Sequence, residues 1–192
     1  MFPQLYTPRF VLREIADTDH QQVFEGLSHP DVIRYYGVSY QTLDAARVQM
    51  DWFAHLREKE LGIWWAIAEK NNQSRLIGAC GFNQWKKEHN SIETGYWLIP
   101  EHWNNGVMTE CLPQIITYAF IAMNIHRIEA QVETENKNSS RLLTKLGFLY
   151  EGTLRDCEIK DGRYISLEYY SLLNTPAEFD PASFKTKQTS DG

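Results

Sequence analysis

The stretch from residue 97 to residue 110 reads WLIPEHWNNGVMTE and joins a buried strand to a helix. Its apolar run ends at Pro100. Asn104, Asn105 and Gly106 then favour a tight turn whose backbone amides can face a ligand. The first turn of a helix leaves about four backbone N–H groups without partners and carries roughly half a positive charge. This junction therefore predicts a site for an anion such as a pyrophosphate.

The residues after this junction predict a helix that continues past an internal proline. Apolar side chains recur at helical spacing, at Met108, Leu112, Ile115, Ala119 and Met123. Pro113 removes the hydrogen bond to the Thr109 carbonyl, but the unbroken spacing predicts a kink and not a break. Neither the Walker nor the Rossmann glycine pattern is present in the sequence. Taken alone, the junction is therefore explained most simply as an ordinary capped helix.

Working outward from the junction, the hydrophobic pattern predicts seven strands and five helices. Apolar residues alternate or run together in seven short segments, residues 9–14, 63–69, 76–82, 91–99, 127–132, 148–158 and 164–173. Helical spacing marks a short helix after Asp17, a second after Pro30, and longer ones over residues 42–60, 108–123 and 139–146. The resulting order, β-α-α-α-β-β-β-α-β-α-β-β, predicts a mixed α/β (α+β) sheet with helices on its faces.

Length and composition indicate a single globular domain. The chain has 192 residues, of which 43% are hydrophobic and 23% charged. No internal linker divides it. We expect one domain over residues 1–174, followed by a polar, loosely ordered tail over residues 175–192.

Charge and cysteine content exclude several classes of protein. A formal net charge of -6 disfavours binding of nucleic acid, whose affinity comes mainly from neutralised phosphates. The sequence has no apolar run long enough to span a membrane and no signal peptide at its start. Three scattered cysteines exclude a disulfide scaffold, and no metal-ligand spacing occurs among the histidines. We expect a cytoplasmic protein that holds no metal.

A second motif covers residues 135–148, which read ENKNSSRLLTKLGF. Helix capping explains every residue of it except Asn136. With this motif in the correct order after the first, the chain resembles the GNAT superfamily of acyl-CoA-dependent N-acyltransferases. It is most similar to the RimJ/RimL-type branch, the ribosomal-protein N-terminal alanine and serine acetyltransferases. The resemblance also includes the opening TPRFVLR at residues 7–13 and the closing EGTLRD at residues 151–156, and extends over about residues 6–174.

The resemblance implies a mostly antiparallel seven-stranded sheet in which the two central strands, residues 93–99 and 127–132, separate. The pantetheine arm of acetyl-CoA is expected between them, against the backbone of Trp97, Leu98 and Ile99. A backbone N–H near Trp97 or Leu98 would bind the oxyanion. The remaining residues expected at the cofactor are Trp103, Asn104, Asn105, Gly106, Val107, Met108, Thr109, Asn136 and Ser139.

The motifs depart from the superfamily pattern at several positions. Trp103 replaces the usual Gln or Arg at the start of the pyrophosphate loop, and Asn104 and Met108 replace glycine or alanine. Many relatives use a tyrosine in the second motif to protonate the departing thiolate, and Leu143 occupies that position here.

Two carboxylates compete for the role of general base. By resemblance, Glu158 matches the base proposed for the RimJ/RimL-type branch, with Ser139 as the matching acid. Glu93 lies on the cofactor-binding strand, where many superfamily members hold a base that acts through water. We favour Glu158 with Ser139, and Glu93 is a close alternative.

The acceptor is expected to be a protein N-terminal α-amine, acetylated by direct transfer within a ternary complex. An α-amine has a pKa near ~8 and lysine near ~10.4, so deprotonating lysine costs roughly 3 kcal/mol more. Tyr35, Tyr36 and Trp85 are candidates for contact with the acceptor. A small-molecule amine such as a polyamine or an aminoglycoside is an alternative acceptor, and a non-catalytic acyl-CoA-binding regulatory module is an alternative function. The oligomeric state stays open, with a homodimer as one candidate.

Overall fold

The fold is an eight-stranded mixed sheet with helices on both faces. A computed structural model describes residues 1–180. The strands are β1 (Leu5–Tyr6), β2 (Phe10–Glu14), β3 (Ile63–Glu69), β4 (Asn72–Lys86), β5 (Ser91–Leu98), β6 (Arg127–Glu133), β7 (Leu149–Lys160) and β8 (Arg163–Leu173). The helices are α1 (His20–Ser28), α2 (Pro30–Ile33), α3 (Arg47–Glu58), α4 (Val107–Ile121) and α5 (Lys137–Lys145). None of the helices within residues 1–180 is both long and apolar enough to cross a bilayer.

The strands lie in the order β1-β2-β3-β4-β5-β6-β8-β7, and every neighbouring pair except one is antiparallel. The exception is the parallel pair of β5 and β6, which forms only where Ser91–Glu93 meets Arg127–Glu129. Beyond these three residues, the described parts of the two strands separate. The expected opening of the central strand pair is therefore present.

The alternation of side chains along the strands divides the core into two layers. In β5, Ile92 and Leu98 belong to a cluster with α4 and α5, whereas Trp97 belongs to a cluster with α1, α2 and α3. Since successive strand residues point to opposite faces, the two helix groups cover opposite sides of the sheet. The opening between β5 and β6 is thus reachable from both layers.

All seven predicted strands and all five helices are present with different bounds, and the sheet contains an eighth strand, β1, that was not expected. β1 has two residues, too few to show a period. β4 runs from Asn72 to Lys86, beyond both ends of the strand predicted over residues 76–82, and it therefore includes Trp85. The helix α4 runs without a break through Pro113.

The structure reaches the first part of the predicted tail. Phe179 is buried, and its ring contacts that of Phe120 with centroids 4.6 Å apart. The predicted domain boundary at residue 174 stays a prediction. The tail prediction for residues 181–192 falls outside the described residues.

Candidate active site

A cavity of about 490 Å³ lies where β5 and β6 separate. Its walls come from both strands, from α3 and α5, and from the segment after α2. A cavity of this size suits part of a small ligand. The two strand edges leave backbone groups without ladder partners here, so an extended ligand can pair with them.

The backbone of β5 presents alternate amides to this opening. The Ile99 N–H donates to the Ile77 carbonyl of β4 at 2.9 Å, so Ile99 and Trp97 direct their N–H groups toward β4. The N–H groups of Leu98 and Tyr96 therefore face the opening. Of the two candidates for binding an oxyanion, this places the amide of Leu98 and not that of Trp97 on the correct side. The Trp97 side chain packs against Gly26 of α1.

The loop before α4 has the shape expected of an anion site. Asn104 and Gly106 both adopt left-handed backbone angles, with φ of 60° and 70°. The first helical hydrogen bond is that of the Glu110 N–H to the Gly106 carbonyl, 3.0 Å. The amides of Val107, Met108 and Thr109 precede it and point out of the helix end. These donors suit a diphosphate, because Gly106 has no side chain that could shield them from a ligand.

Trp103 joins this loop to the end of β5. Its indole N–H donates to the Leu98 carbonyl at 2.7 Å, while its ring is partly exposed. The Trp103 side chain thus links the loop directly to the backbone of the strand.

A polar cluster from the N-terminus supports the same loop. The Arg9 guanidinium donates to Glu110 at 2.6 Å and to the Asn105 carbonyl at 2.9 Å, and the Thr7 hydroxyl donates to Glu110 at 2.6 Å. Partial burial alone would raise the pKa of Glu110, but the hydrogen bonds from Thr7 and Arg9 lower it. The opening motif at residues 7–13 and Glu110 at the start of α4 are therefore parts of one support for the loop.

Glu93 lines the cavity, and because it is an even number of residues from Trp97 along β5, its side chain lies on the side of the sheet that faces α1–α3. Burial raises its pKa, and the nearby Glu129 carboxylate adds to this, while hydrogen bonds from Asn83 and Gln131 oppose it. Amide nitrogens of Gln131 and Gln84 lie 2.8 Å and 3.2 Å from its carboxylate. A carboxylate with a raised pKa is a stronger base than a solvated one.

Glu158 lies on the exposed strand β7, opposite Ile165 of β8, and is not among the residues lining the cavity. The neighbouring Lys160 reaches the cavity wall, where its ammonium donates to Glu133 at 2.5 Å and to the Arg34 carbonyl at 2.6 Å. The β7–β8 hairpin therefore supplies a lysine to the cavity rim.

The second motif lies on the opposite wall. Asn136 caps α5 by accepting the Ser139 N–H at 3.2 Å, so our statement that capping does not explain Asn136 is wrong. Both residues line the cavity. The Ser139 hydroxyl lies 2.7 Å from the hydroxyl of Tyr96. Leu143 is buried and also lines the cavity. We predicted no role for Tyr96 from the sequence.

Aromatic side chains form the remaining wall. Tyr35 and Tyr36 line the cavity, together with Tyr40, Trp52 and Trp64, and contact of Tyr35 and Tyr36 with the acceptor stays a prediction. Trp85 does not line it, since it packs against the α4 side of the core and its ring contacts the Lys87 ammonium at 5.1 Å. Within the described range no group of three or more His, Cys, Asp or Glu residues is placed to hold a metal ion.

Comparisons with known proteins agree with this geometry. The family described as acetyltransferase (GNAT) domain matches residues 9–149. The uncharacterized N-acetyltransferase YoaA of Bacillus subtilis (strain 168) is 38% identical over 174 residues, which cover 90% of this chain and 98% of that protein.

Two solved structures show the same fold. The ribosomal-protein-S5-alanine acetyltransferase from Vibrio fischeri has a TM-score of 0.79 at 19% identity, covering 91% of this chain and 98% of its own. The spermidine N-acetyltransferase from Vibrio cholerae, in complex with CoA and spermine, has a TM-score of 0.76 at 21% identity, covering 85% and 95%. The names of the two proteins give different acceptors, so the shared fold does not identify the acceptor of this chain.

Proposed function

Because the chain belongs to the GNAT acetyltransferase family, we propose that it transfers an acetyl group from acetyl-CoA to an amine with a single positive charge, such as a protein N-terminus. The observation that carries this proposal is the cavity at the strand separation, which holds one carboxylate with neutral hydrogen-bond partners among aromatic walls.

The residues that would hold acetyl-CoA lie along one path. The amides of Val107, Met108 and Thr109 suit the diphosphate, and the Asn136 side chain suits the pantetheine arm. The Leu98 N–H is oriented to stabilise negative charge on the thioester oxygen. When bound, acetyl-CoA supplies a thioester carbonyl that a neutral amine can attack.

We assign the base to Glu93 and keep Ser139 as the donor to the leaving group. The two residues lie on opposite sides of the opening, because Glu93 faces the α1–α3 layer and Ser139 belongs to α5. This separation suits direct transfer, in which the amine enters from one side and the thiol leaves on the other. None of the cavity-lining residues within 1–180 is a cysteine, which also favours direct transfer over an acyl-enzyme.

The charges of the cavity favour a monovalent amine over a polyamine. Of its described lining residues, only Glu93 and Glu133 carry charge, and Glu133 is paired with Lys160. A polyamine would bring two or more ammonium groups to a cavity with one carboxylate free of an ion pair. An α-amine brings one, and its pKa near ~8 makes the neutral form easier to reach than for lysine.

A panel of acceptors tests this proposal. We expect kcat/KM for a short peptide with a free N-terminus to exceed that for spermidine by about tenfold or more, since deprotonating a group of pKa ~10.4 costs roughly 3 kcal/mol more. The matched control is the same peptide with a blocked N-terminus and one lysine. A tenfold preference for spermidine or for lysine would contradict the proposal.

A further inference from the structure

We propose that Tyr96 positions the Ser139 hydroxyl so that it donates a hydrogen bond to the sulfur leaving the acyl donor. Two hydroxyls on the same wall would then stabilise the departing sulfur, which many relatives protonate with a tyrosine of the second motif. The inference rests on the proposed acetyl transfer, and it assigns a role to a residue that the proposal does not use.

The geometry brings these two side chains together from distant parts of the chain. Tyr96 lies in β5 and Ser139 in α5, yet their hydroxyl oxygens are 2.7 Å apart, and both residues line the cavity. Leu143 lies one helical turn after Ser139, at the position where relatives carry the tyrosine, and offers no hydroxyl. Tyr96 therefore supplies a phenol to the same wall from the neighbouring strand.

Either hydroxyl can be the donor in this hydrogen bond, and we assign Tyr96 as the donor. Burial raises the pKa of Tyr96 to about 12, although the bond to Ser139 opposes the shift. The phenol thus keeps its proton at neutral pH and can donate it to the Ser139 oxygen throughout the working range. A serine oxygen that accepts this bond still has its own hydroxyl proton to direct into the cavity. Consecutive hydrogen bonds also polarise one another, which strengthens the serine as a donor.

The chemical step needs such a donor on this side of the opening. When the carbon–sulfur bond breaks, its electron pair passes to sulfur, and a hydrogen bond from the Ser139 hydroxyl stabilises the charge. No proton leaves Tyr96, and the thiolate is protonated by water after release. Tyr96 is therefore a positioning residue, and its removal should affect turnover more than binding.

Replacing Tyr96 with phenylalanine tests the inference, because the ring stays and the hydroxyl is lost. We expect kcat to fall about tenfold while KM for acetyl-CoA and for the peptide changes less than about twofold. Ser139→Ala should cost at least as much, and the double variant should lose little more than Ser139→Ala alone. The matched control is Tyr118→Phe, since Tyr118 packs on Trp65 outside the cavity and should behave as wild type.

A second readout does not depend on activity. Urea unfolding without ligand of the wild type, Tyr96→Phe, Ser139→Ala and the double variant should show coupling. The double variant should lose less stability than the two single losses added together. Additive losses, or a Tyr96→Phe enzyme with wild-type kcat, would overturn the inference while leaving the acetyl transfer intact. A wild-type protein that releases no CoA with any amine would overturn both.

Discussion

Replacing Glu93 with glutamine is expected to lower kcat by about 10²- to 10⁴-fold, the usual contribution of a general base. The substitution keeps the size of the side chain in a cavity whose walls are packed, and it removes the group that accepts the proton of the amine. Affinity for acetyl-CoA should stay unchanged, because the residues assigned to the diphosphate lie at the start of α4. Calorimetric titration together with steady-state rates would separate the two effects.

The pH dependence of kcat/KM tests the assignment of Glu93 as the base. A base acts when it is ionised, and burial raises the pKa of Glu93 above its ordinary value of 4.5. The kcat/KM of the wild type should therefore rise with pH through a value above 4.5, and this limb should disappear in Glu93→Gln. The matched control is Glu158→Gln, on the exposed strand β7. If Glu158→Gln loses activity and Glu93→Gln does not, the assignment of the base is wrong.

Replacing Gly106 with alanine is expected to raise KM for acetyl-CoA by about tenfold or more. Gly106 has a φ of 70°, where a side chain costs about 1–2 kcal/mol. Relief of this strain would turn the following amides away, and each hydrogen bond to a charged group is worth about 1.5–3 kcal/mol. The added methyl would lie 3.5 Å from the Arg9 guanidinium, an ordinary van der Waals contact, so a steric clash is not the cause.

Gly162 provides a control matched in backbone geometry. It has a φ of 74° in the β7–β8 turn, and a methyl added there meets no atom within 4 Å. Gly162→Ala should lose a similar amount of stability by urea unfolding and keep a wild-type KM for acetyl-CoA. Equal increases in KM for the two variants would mean that strain alone, and not the position of the loop, explains the effect.

Elements with a regular pattern of apolar residues could be predicted from the sequence, and elements without such a pattern could not. Strands such as β3 and β8 bury continuous or alternating apolar residues, which local pattern reveals. The outer residues of β4 are exposed or only half-buried, so no apolar signal marked the extension that contains Trp85. The strand β1 pairs through two residues and leaves no pattern either.

The tight turn before α4 could also be predicted, because it depends on the backbone preferences of a few adjacent residues. The cap of α5 was placed wrongly, because Asn136 and not a later residue accepts the Ser139 N–H. The contacts across the cavity could not be predicted. Tyr96 and Ser139 are 43 positions apart, and their hydrogen bond depends on how α5 lies beside β5. The choice of Glu93 or Glu158 as the proposed base depends in the same way on which strand borders the opening. The residues next to each glutamate in the sequence do not show this.

The proposed binding mode has coenzyme A in the opening between β5 and β6, with its diphosphate at the start of α4. It is tested most directly by nuclear magnetic resonance of the ¹⁵N-labelled protein titrated with CoA. We predict the largest amide shifts at Val107, Met108, Thr109 and Leu98. Unchanged signals from these four amides, with saturable shifts confined to another part of the chain, would contradict the account.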